Sequence, residues 1–92
     1  MSYYYKHEYN FSTHSIQRIR QRLNLENEEE FKLKEKILKL IGKSTYSFET
    51  SRNIYISTPK KDIYFVIDRV NKLIITATPI SPEKQMWLLE ND

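Results

Sequence analysis

Apolar side chains recur at helical spacing along residues 13–23. On a helix with about 3.6 residues per turn they share one face: Ile16, Ile19 and Leu23. Ser12 or Thr13 is a suitable N-cap, because its hydroxyl can accept hydrogen bonds from the free amides of the first turn. The pattern therefore predicts a first helix from about residue 13 to residue 23 or 24.

A second run with the helical period covers residues 28–41. Its apolar members are Leu33, Ile37, Leu40 and Ile41, with Phe31 and Leu38 beside them. Asn27 is the predicted N-cap, and the glutamates that follow it suit the positive end of the helix dipole. Gly42, the single glycine of the chain, is predicted to end this helix in a left-handed conformation, and Lys43 suits the negative end of the dipole.

Elsewhere apolar and polar residues alternate, which is typical of β-strands. Residues 3–11 predict a half-buried first strand, and four strand-like runs follow the second helix: 45–50, 54–58, 63–68 and 73–78. The separators between these runs are short enough for hairpins, so an antiparallel meander is expected. Ile63, Phe65 and Ile67 are expected to face the helices, and so are Ile54 and Ile56 or their neighbours.

Ser81 and Pro82 have the order of an N-cap followed by proline at the first helical position. They predict a short C-terminal helix that covers residues 84–89. The element order is then β-α-α-β-β-β-β-α in a single domain over residues 1–92. Two helices packed on one face of a mostly antiparallel sheet make an α+β fold.

Composition and charge favour a polyanionic partner only mildly, since 15 Lys and Arg against 12 Asp and Glu give a net charge of +3. The absence of cysteine excludes disulfides and thiolate chemistry, and with two histidines neither a metal nor a cofactor is expected. No apolar run approaches the roughly 20 residues of a membrane helix, and no signal-peptide core is present near the N-terminus. A cytoplasmic protein without a membrane partner is expected.

The basic residues of the first helix form a stripe of their own. His14, Arg18 and Arg22 follow one another at four-residue spacing, so they share a face that lies away from the apolar one. An imidazole above two guanidiniums suits a phosphodiester, with His14 as the catalytic acid or base and Arg18 as its phosphate-holding partner. The alternatives are a helix-capping histidine and arginines paired with the glutamates of 26–30. Arg20 lies off the stripe and is expected to be solvated.

Further candidate nucleic-acid contacts lie in the meander. Its turns carry four cations: Arg52, Lys60, Lys61 and Arg69. Its strands carry aromatic rings that can stack on bases: Tyr46, Tyr55 and Tyr64. The alternative is that the charges serve solubility and the tyrosines belong to the core. His7, on the aromatic face of the first strand, is expected to be structural.

Element order and helix spacing together resemble the RelE-type ribonuclease toxins. Within them, His14-x3-Arg18-x3-Arg22 followed by the meander is most similar to the small BrnT-like group, often phage- or plasmid-borne. The resemblance spans about residues 12–78. It implies a cleft between the first helix and the sheet that receives RNA, and control by a partner antitoxin. The resemblance to ribosome-dependent RelE-type enzymes also implies a catalytic aromatic residue or base near the end of the fold, but no Tyr, His or Arg follows Arg69. Both a metal-independent endoribonuclease and an inactive RNA-binding relative therefore remain open.

Trp87 supports an alternative function of a different class. It lies among Met86, Leu88 and Leu89, so one side of the last helix is expected to cover the core and another to contact a second subunit, unless core burial alone explains it. The alternative is a non-catalytic phage or mobile-element adaptor that binds a host protein or DNA. The salt dependence of binding affinity distinguishes the two functions. Phosphate contacts weaken steeply as salt concentration rises, and an aromatic protein interface weakens much less.

Overall fold

The computed structural model describes residues 9–92. Its elements follow in this order: β1 (Asn10–Phe11), α1 (Thr13–Leu23), α2 (Glu30–Lys43), β2 (Ser47–Glu49), β3 (Asn53–Ser57), β4 (Ile63–Asp68), β5 (Leu73–Pro79) and α3 (Pro82–Asn91). Over the described residues the chain is an α+β fold, and the predicted element order is confirmed. The greater part of the predicted first strand, with His7, lies outside the described residues.

The five described strands form one mixed sheet in the order β1-β5-β4-β3-β2. β2 to β5 pair antiparallel as a meander, as predicted. β1 adds to the edge in parallel, with Asn10 opposite Leu73. Since β1 leads directly into α1, this pairing fixes where the first helix starts above the sheet.

Strand alternation divides the interior into two cores, one on each face of the sheet. On β4, Phe65 belongs to the core beneath α1 and α2, whereas Val66 belongs to the core beneath α3. The first core contains Ile19, Leu33, Ile37, Ile41, Ile56, Ile63, Phe65, Ile67, Ile74 and Ala77. The second contains Phe48, Tyr55, Val66, Ile80 and Leu88. The predicted packing of two helices on one face is confirmed, and α3 covers part of the other.

The ends of α1 and α3 follow their sequence signals. Ser12 caps α1 in a reciprocal pair with Ser15: the Ser15 amide donates to Ser12 Oγ at 3.0 Å, and the Ser12 amide to Ser15 Oγ at 2.9 Å. Ser81 Oγ accepts from the Lys84 amide at 3.1 Å, with Pro82 in the first turn. α3 is longer than predicted, because helical geometry starts at Pro82 and continues to Asn91.

The predicted caps of α2 are wrong, although Glu30 and Lys43 lie in its first and last turns, as the helix dipole favours. The helix begins at Glu30 with Glu29 as N-cap and no capping side chain, so Asn27 has no such role. Gly42 lies buried inside the last turn, and the C-cap Ser44 is extended with φ of −62°. The chain runs straight into β2, so no left-handed reversal is needed there. The left-handed helix end occurs at Asn24 after α1, with φ of 56°.

Arg20 explains why the α1–α2 connection departs from the local sequence pattern. The prediction that the Arg20 side chain is solvated is wrong. Its guanidinium Nη1 donates to the carbonyls of Leu25 and Glu26, each at 3.2 Å, and to that of Glu28. One side chain therefore holds the connection in a non-helical path until Glu29. The three carbonyls belong to the connection between the helices, and that of Leu25 also accepts from the Glu28 amide at 3.2 Å.

We expect Arg20→Ala to lower the free energy of unfolding by about 1–3 kcal/mol, because hydrogen bonds from a charged donor are lost and the carbonyls face water instead. Urea unfolding followed by circular dichroism measures the change. Arg18→Ala is the matched control on the same helix, since Arg18 is exposed, and its effect should stay within about 0.5 kcal/mol. Equal losses in the two variants would contradict the role assigned to Arg20.

Candidate functional site

The orientation of α1 is set by its apolar face. Ile19 is fully buried in the first core, and Ile16 and Leu23 pack against that core. With this face held on the sheet, the opposite face of the helix points to solvent. His14 and Arg18 are exposed there, and Arg22 is half-buried. The stripe predicted from the spacing is therefore a surface feature of the folded protein.

Ion pairs with the downstream glutamates do not occupy the stripe. Glu28 accepts from Lys36 Nζ at 3.0 Å, and Glu30 lies 3.6 Å from Lys34 Nζ. Across residues 9–92, the side chains of His14, Arg18 and Arg22 make no hydrogen bond or ion pair. No acidic residue occurs in the sequence between Glu8 and Glu26. The helix surface is thus cationic without local compensation.

Lys60 extends this cationic surface from α1 to the sheet. Its ammonium Nζ donates to the backbone carbonyl of Arg22 at 2.9 Å, across 38 positions of sequence. The β3–β4 turn that carries it is shaped by Thr58, whose hydroxyl donates to the Ile63 carbonyl at 2.9 Å and accepts from the Lys60 amide at 3.2 Å. The exposed Lys61 follows in the same turn. Arg18, Arg22, Lys60 and Lys61 are hereafter the α1–turn surface.

Arg52 and Arg69 belong to a different cluster at the opposite end of the sheet. The strand register places Asn53 across from Asp68, so both arginines lie beyond that end. β3 and β4 have 5 and 6 residues, and at about 3.3 Å per residue the two ends are roughly 17–20 Å apart. The predicted basic nucleic-acid contacts are therefore divided between two places.

The charges of this second cluster are compensated by acidic groups. Arg69 donates through Nη1 to the Thr50 carbonyl at 2.9 Å and lies 3.6 Å from a carboxylate oxygen of Glu49. Arg52 Nε is 4.0 Å from an Asp92 carboxylate oxygen. Both contacts favour a structural part for these arginines over phosphate binding. Asp92 also accepts from the Thr50 hydroxyl at 2.6 Å, which secures the end of α3 on the sheet.

Tyr55 and Tyr64 lie on the sheet face that α3 covers. Tyr55 is buried and stacks on Phe48 with 4.6 Å between ring centroids, and burial together with the nearby Asp92 carboxylate raises its pKa. Tyr64 is half-buried and meets the Phe48 ring edge-on at 5.7 Å, and burial raises its pKa as well. Their rings are used in packing, so they offer no platform for bases. Tyr46 is 44 % exposed and accepts a hydrogen bond from Gln85.

Trp87 is 53 % exposed, and the Lys84 ammonium lies 4.5 Å from its ring centroid. Met86 and Leu89 beside it are 64 % and 52 % exposed, whereas Leu88 is buried in the second core. Core burial therefore accounts for Leu88 and not for Trp87. α3 presents an apolar outer side next to a cation.

Lys43 and Thr45 lie at a cavity that sequence patterns did not indicate. The cavity, of about 270 Å³, lies where the end of α2 meets the end of β3.

Within the stretch 9–92, no helix has the length and apolar character required to cross a membrane. The same residues contain no cluster of three or more His, Asp or Glu arranged to hold a metal ion.

Comparison with protein families, with curated proteins and with solved structures gave no match for this chain. The similarity to the RelE and BrnT-like toxins therefore depends on the His-Arg-Arg spacing and the element order alone. It stays a prediction. The class of protein that the fold defines is a small α+β domain with a mixed five-stranded sheet over its described residues.

Proposed function

We propose that the protein binds single-stranded RNA along the α1–turn surface, as a RelE- or BrnT-like domain. The observation that carries this proposal is the Lys60 ammonium at the Arg22 carbonyl, which joins the uncompensated arginines of α1 to the basic turn. Several neighbouring cations suit a polymer of phosphates better than a single anion. The buried Ile19 and the capped start of α1 favour a rigid, preformed surface.

Arg18 and Arg22 have the geometry to hold neighbouring phosphates. Residues four apart on a helix are separated by about 6 Å along its axis. A guanidinium can donate two parallel hydrogen bonds to one phosphate, and this specificity distinguishes it from an ammonium. Lys60, with its remaining donors, would hold a third phosphate as a point charge. The surface contains no stacking tyrosine, so backbone contacts supply most of the affinity.

His14 is the acid–base candidate at the start of the stripe. It is exposed, and an imidazole can act as a base towards an RNA 2′-hydroxyl or as an acid towards a leaving oxygen. Arg18, one turn away, would stabilise charge on the phosphate in between. Cleavage of this kind needs a base and an acid, and His14 supplies one of them. RNA binding is therefore the primary function proposed, and endoribonuclease activity its sharper form.

The expected result of Arg18→Gln is an increase of about tenfold in the Kd for oligouridylate RNA, since one charge-assisted contact contributes about 1.5 kcal/mol. Fluorescence anisotropy at low salt measures it. Lys39→Gln, an exposed cation on α2, is the matched control and should change the Kd little. Equal affinities for Arg18→Gln and the unchanged protein would refute phosphate binding by α1.

A denaturing gel of the same mixtures tests cleavage, which His14→Ala should abolish if the protein is a nuclease.

A protein partner for α3 is the second candidate, favoured by the exposed Trp87 beside Met86 and Leu89. An antitoxin, a host protein or a second copy of the chain would bury these side chains. Since α3 covers the sheet face away from α1, such a contact is compatible with RNA on α1. Sedimentation of the unchanged protein and of Trp87→Ala distinguishes a homodimer from a monomer.

A further inference from the structure

A cavity of about 270 Å³ opens where the last turn of α2 faces the end of β3. Pro59 forms part of its lining, and the adjoining residue along the chain, Lys60, reaches α1. The β3–β4 turn therefore contributes both to the cavity, through Pro59, and to the α1–turn surface, through Lys60. A chain molecule that follows α1 as far as Lys60 would therefore lie next to a residue of the turn that lines the cavity.

Most hydroxyls around the cavity are engaged in structure. Ser44 Oγ and Ser57 Oγ lie 2.8 Å apart in a hydrogen bond, and Ser44 Oγ also donates to the Tyr46 carbonyl at 3.0 Å. Thr58 Oγ1 is used within the β3–β4 turn. The bond between Ser44 and Ser57 joins the end of α2 to β3 at the cavity.

Two polar groups at the cavity are available for a ligand. Lys43 and Thr45 are exposed, and within residues 9–92 neither the Lys43 ammonium nor the Thr45 hydroxyl makes a hydrogen bond or an ion pair. The remaining lining is largely apolar, with Leu40 and Pro59. A cation and a hydroxyl donor beside apolar carbon suit a phosphodiester with its attached sugar and base.

We infer that this cavity is a second phosphate subsite for the RNA strand that occupies the α1–turn surface, with Lys43 and Thr45 as the contacts. The subsite rests on the proposed function. It takes the nucleotide that has passed the turn at Lys60, so only an RNA long enough to span the turn reaches it. The β3–β4 turn thereby becomes the middle of the binding path and not its end.

Two oligouridylates, of about 4 and about 12 nucleotides, test this subsite by fluorescence anisotropy over a series of salt concentrations. Lys43→Gln should weaken binding of the longer RNA several-fold and reduce its salt slope by about 0.7, the value for one lost contact to a single strand. Binding of the shorter RNA should be unchanged. Lys39→Gln, on the same helix and also exposed, should affect neither.

The outcomes separate the subsite from the proposed function. If Arg18→Gln weakens both RNAs and Lys43→Gln weakens neither, the subsite is refuted and RNA binding along α1 stands. An equal loss with both lengths in Lys43→Gln also refutes it, because the effect then has no link to the path past the turn. If the unchanged protein binds neither RNA, the proposed function fails and the subsite with it. Thr45→Val repeats the comparison without a change of charge.

Discussion

Replacing Arg18 and Arg22 together by glutamate is expected to weaken RNA binding by about 100-fold or more. Each guanidinium is assigned a charge-assisted contact to phosphate, and each lost contact costs about 1.5–3 kcal/mol. About 1.4 kcal/mol corresponds to a tenfold change in Kd, so two contacts account for the effect, and reversal of charge adds repulsion. The fold should survive, since Arg18 is exposed and Arg22 is half-buried with no side-chain partner among the described residues.

The matched control is Lys32→Glu with Lys39→Glu, which places the same change of charge on exposed positions of α2. Both double variants lower the net charge of +3 by the same amount. If attraction between RNA and the protein's overall charge were the cause of binding, the two would lose affinity equally. A selective loss in the α1 variant assigns the contact to the stripe. Equal losses would show that no defined surface binds RNA.

Phe65→Ala is expected to cost about 3–5 kcal/mol of the free energy of unfolding. Phe65 is fully buried on β4, the middle strand of the sheet, between Ile56 on β3 and Ala77 on β5. Removal of its ring leaves a cavity in the first core, beneath the helix that carries the candidate site. The free energy of unfolding of natural domains is only about 5–15 kcal/mol, so this loss would unfold much of the protein under mild denaturant.

Urea unfolding at equilibrium measures this loss as a lower midpoint, with the slope m as a check on two-state behaviour. Phe31→Ala is the matched control, because the same atoms are removed from a residue that is 68 % exposed. Its effect should stay within about 0.5 kcal/mol. A midpoint for Phe65→Ala close to that of Phe31→Ala would contradict the position of Phe65 in the core.

Local sequence patterns predicted the elements that have an amphipathic face. The period of Ile16, Ile19 and Leu23 predicts α1 with its buried face, and alternation along β4 predicts which residues face α1 and α2. The ends of α2 could not be predicted in this way. They depend on the Arg20 guanidinium, whose three carbonyl partners lie five to eight positions away in the loop, and on Ser44, whose partner Ser57 lies on β3.

The candidate site was predictable only in part. Four-residue spacing is enough to align His14, Arg18 and Arg22, because it is a property of one helix. The contact between Lys60 and α1 depends on how a hairpin turn meets a distant helix, and no local pattern contains it. The separation of Arg52 and Arg69 from Lys60 did have a signal. Successive turns of a meander fall at opposite ends of the sheet, so turn charges that alternate along the chain cannot share one site.

The central claim is that the cations of α1 and the β3–β4 turn bind the phosphate backbone of RNA. The most direct test is the affinity for single-stranded RNA as a function of salt, for the unchanged protein and for Arg18→Gln. Contacts from Arg18, Arg22 and Lys60 predict a slope of log K against log salt near −2 or steeper, made shallower by about 0.7 in the variant. A slope near zero, or the same slope in both proteins, would contradict the claim.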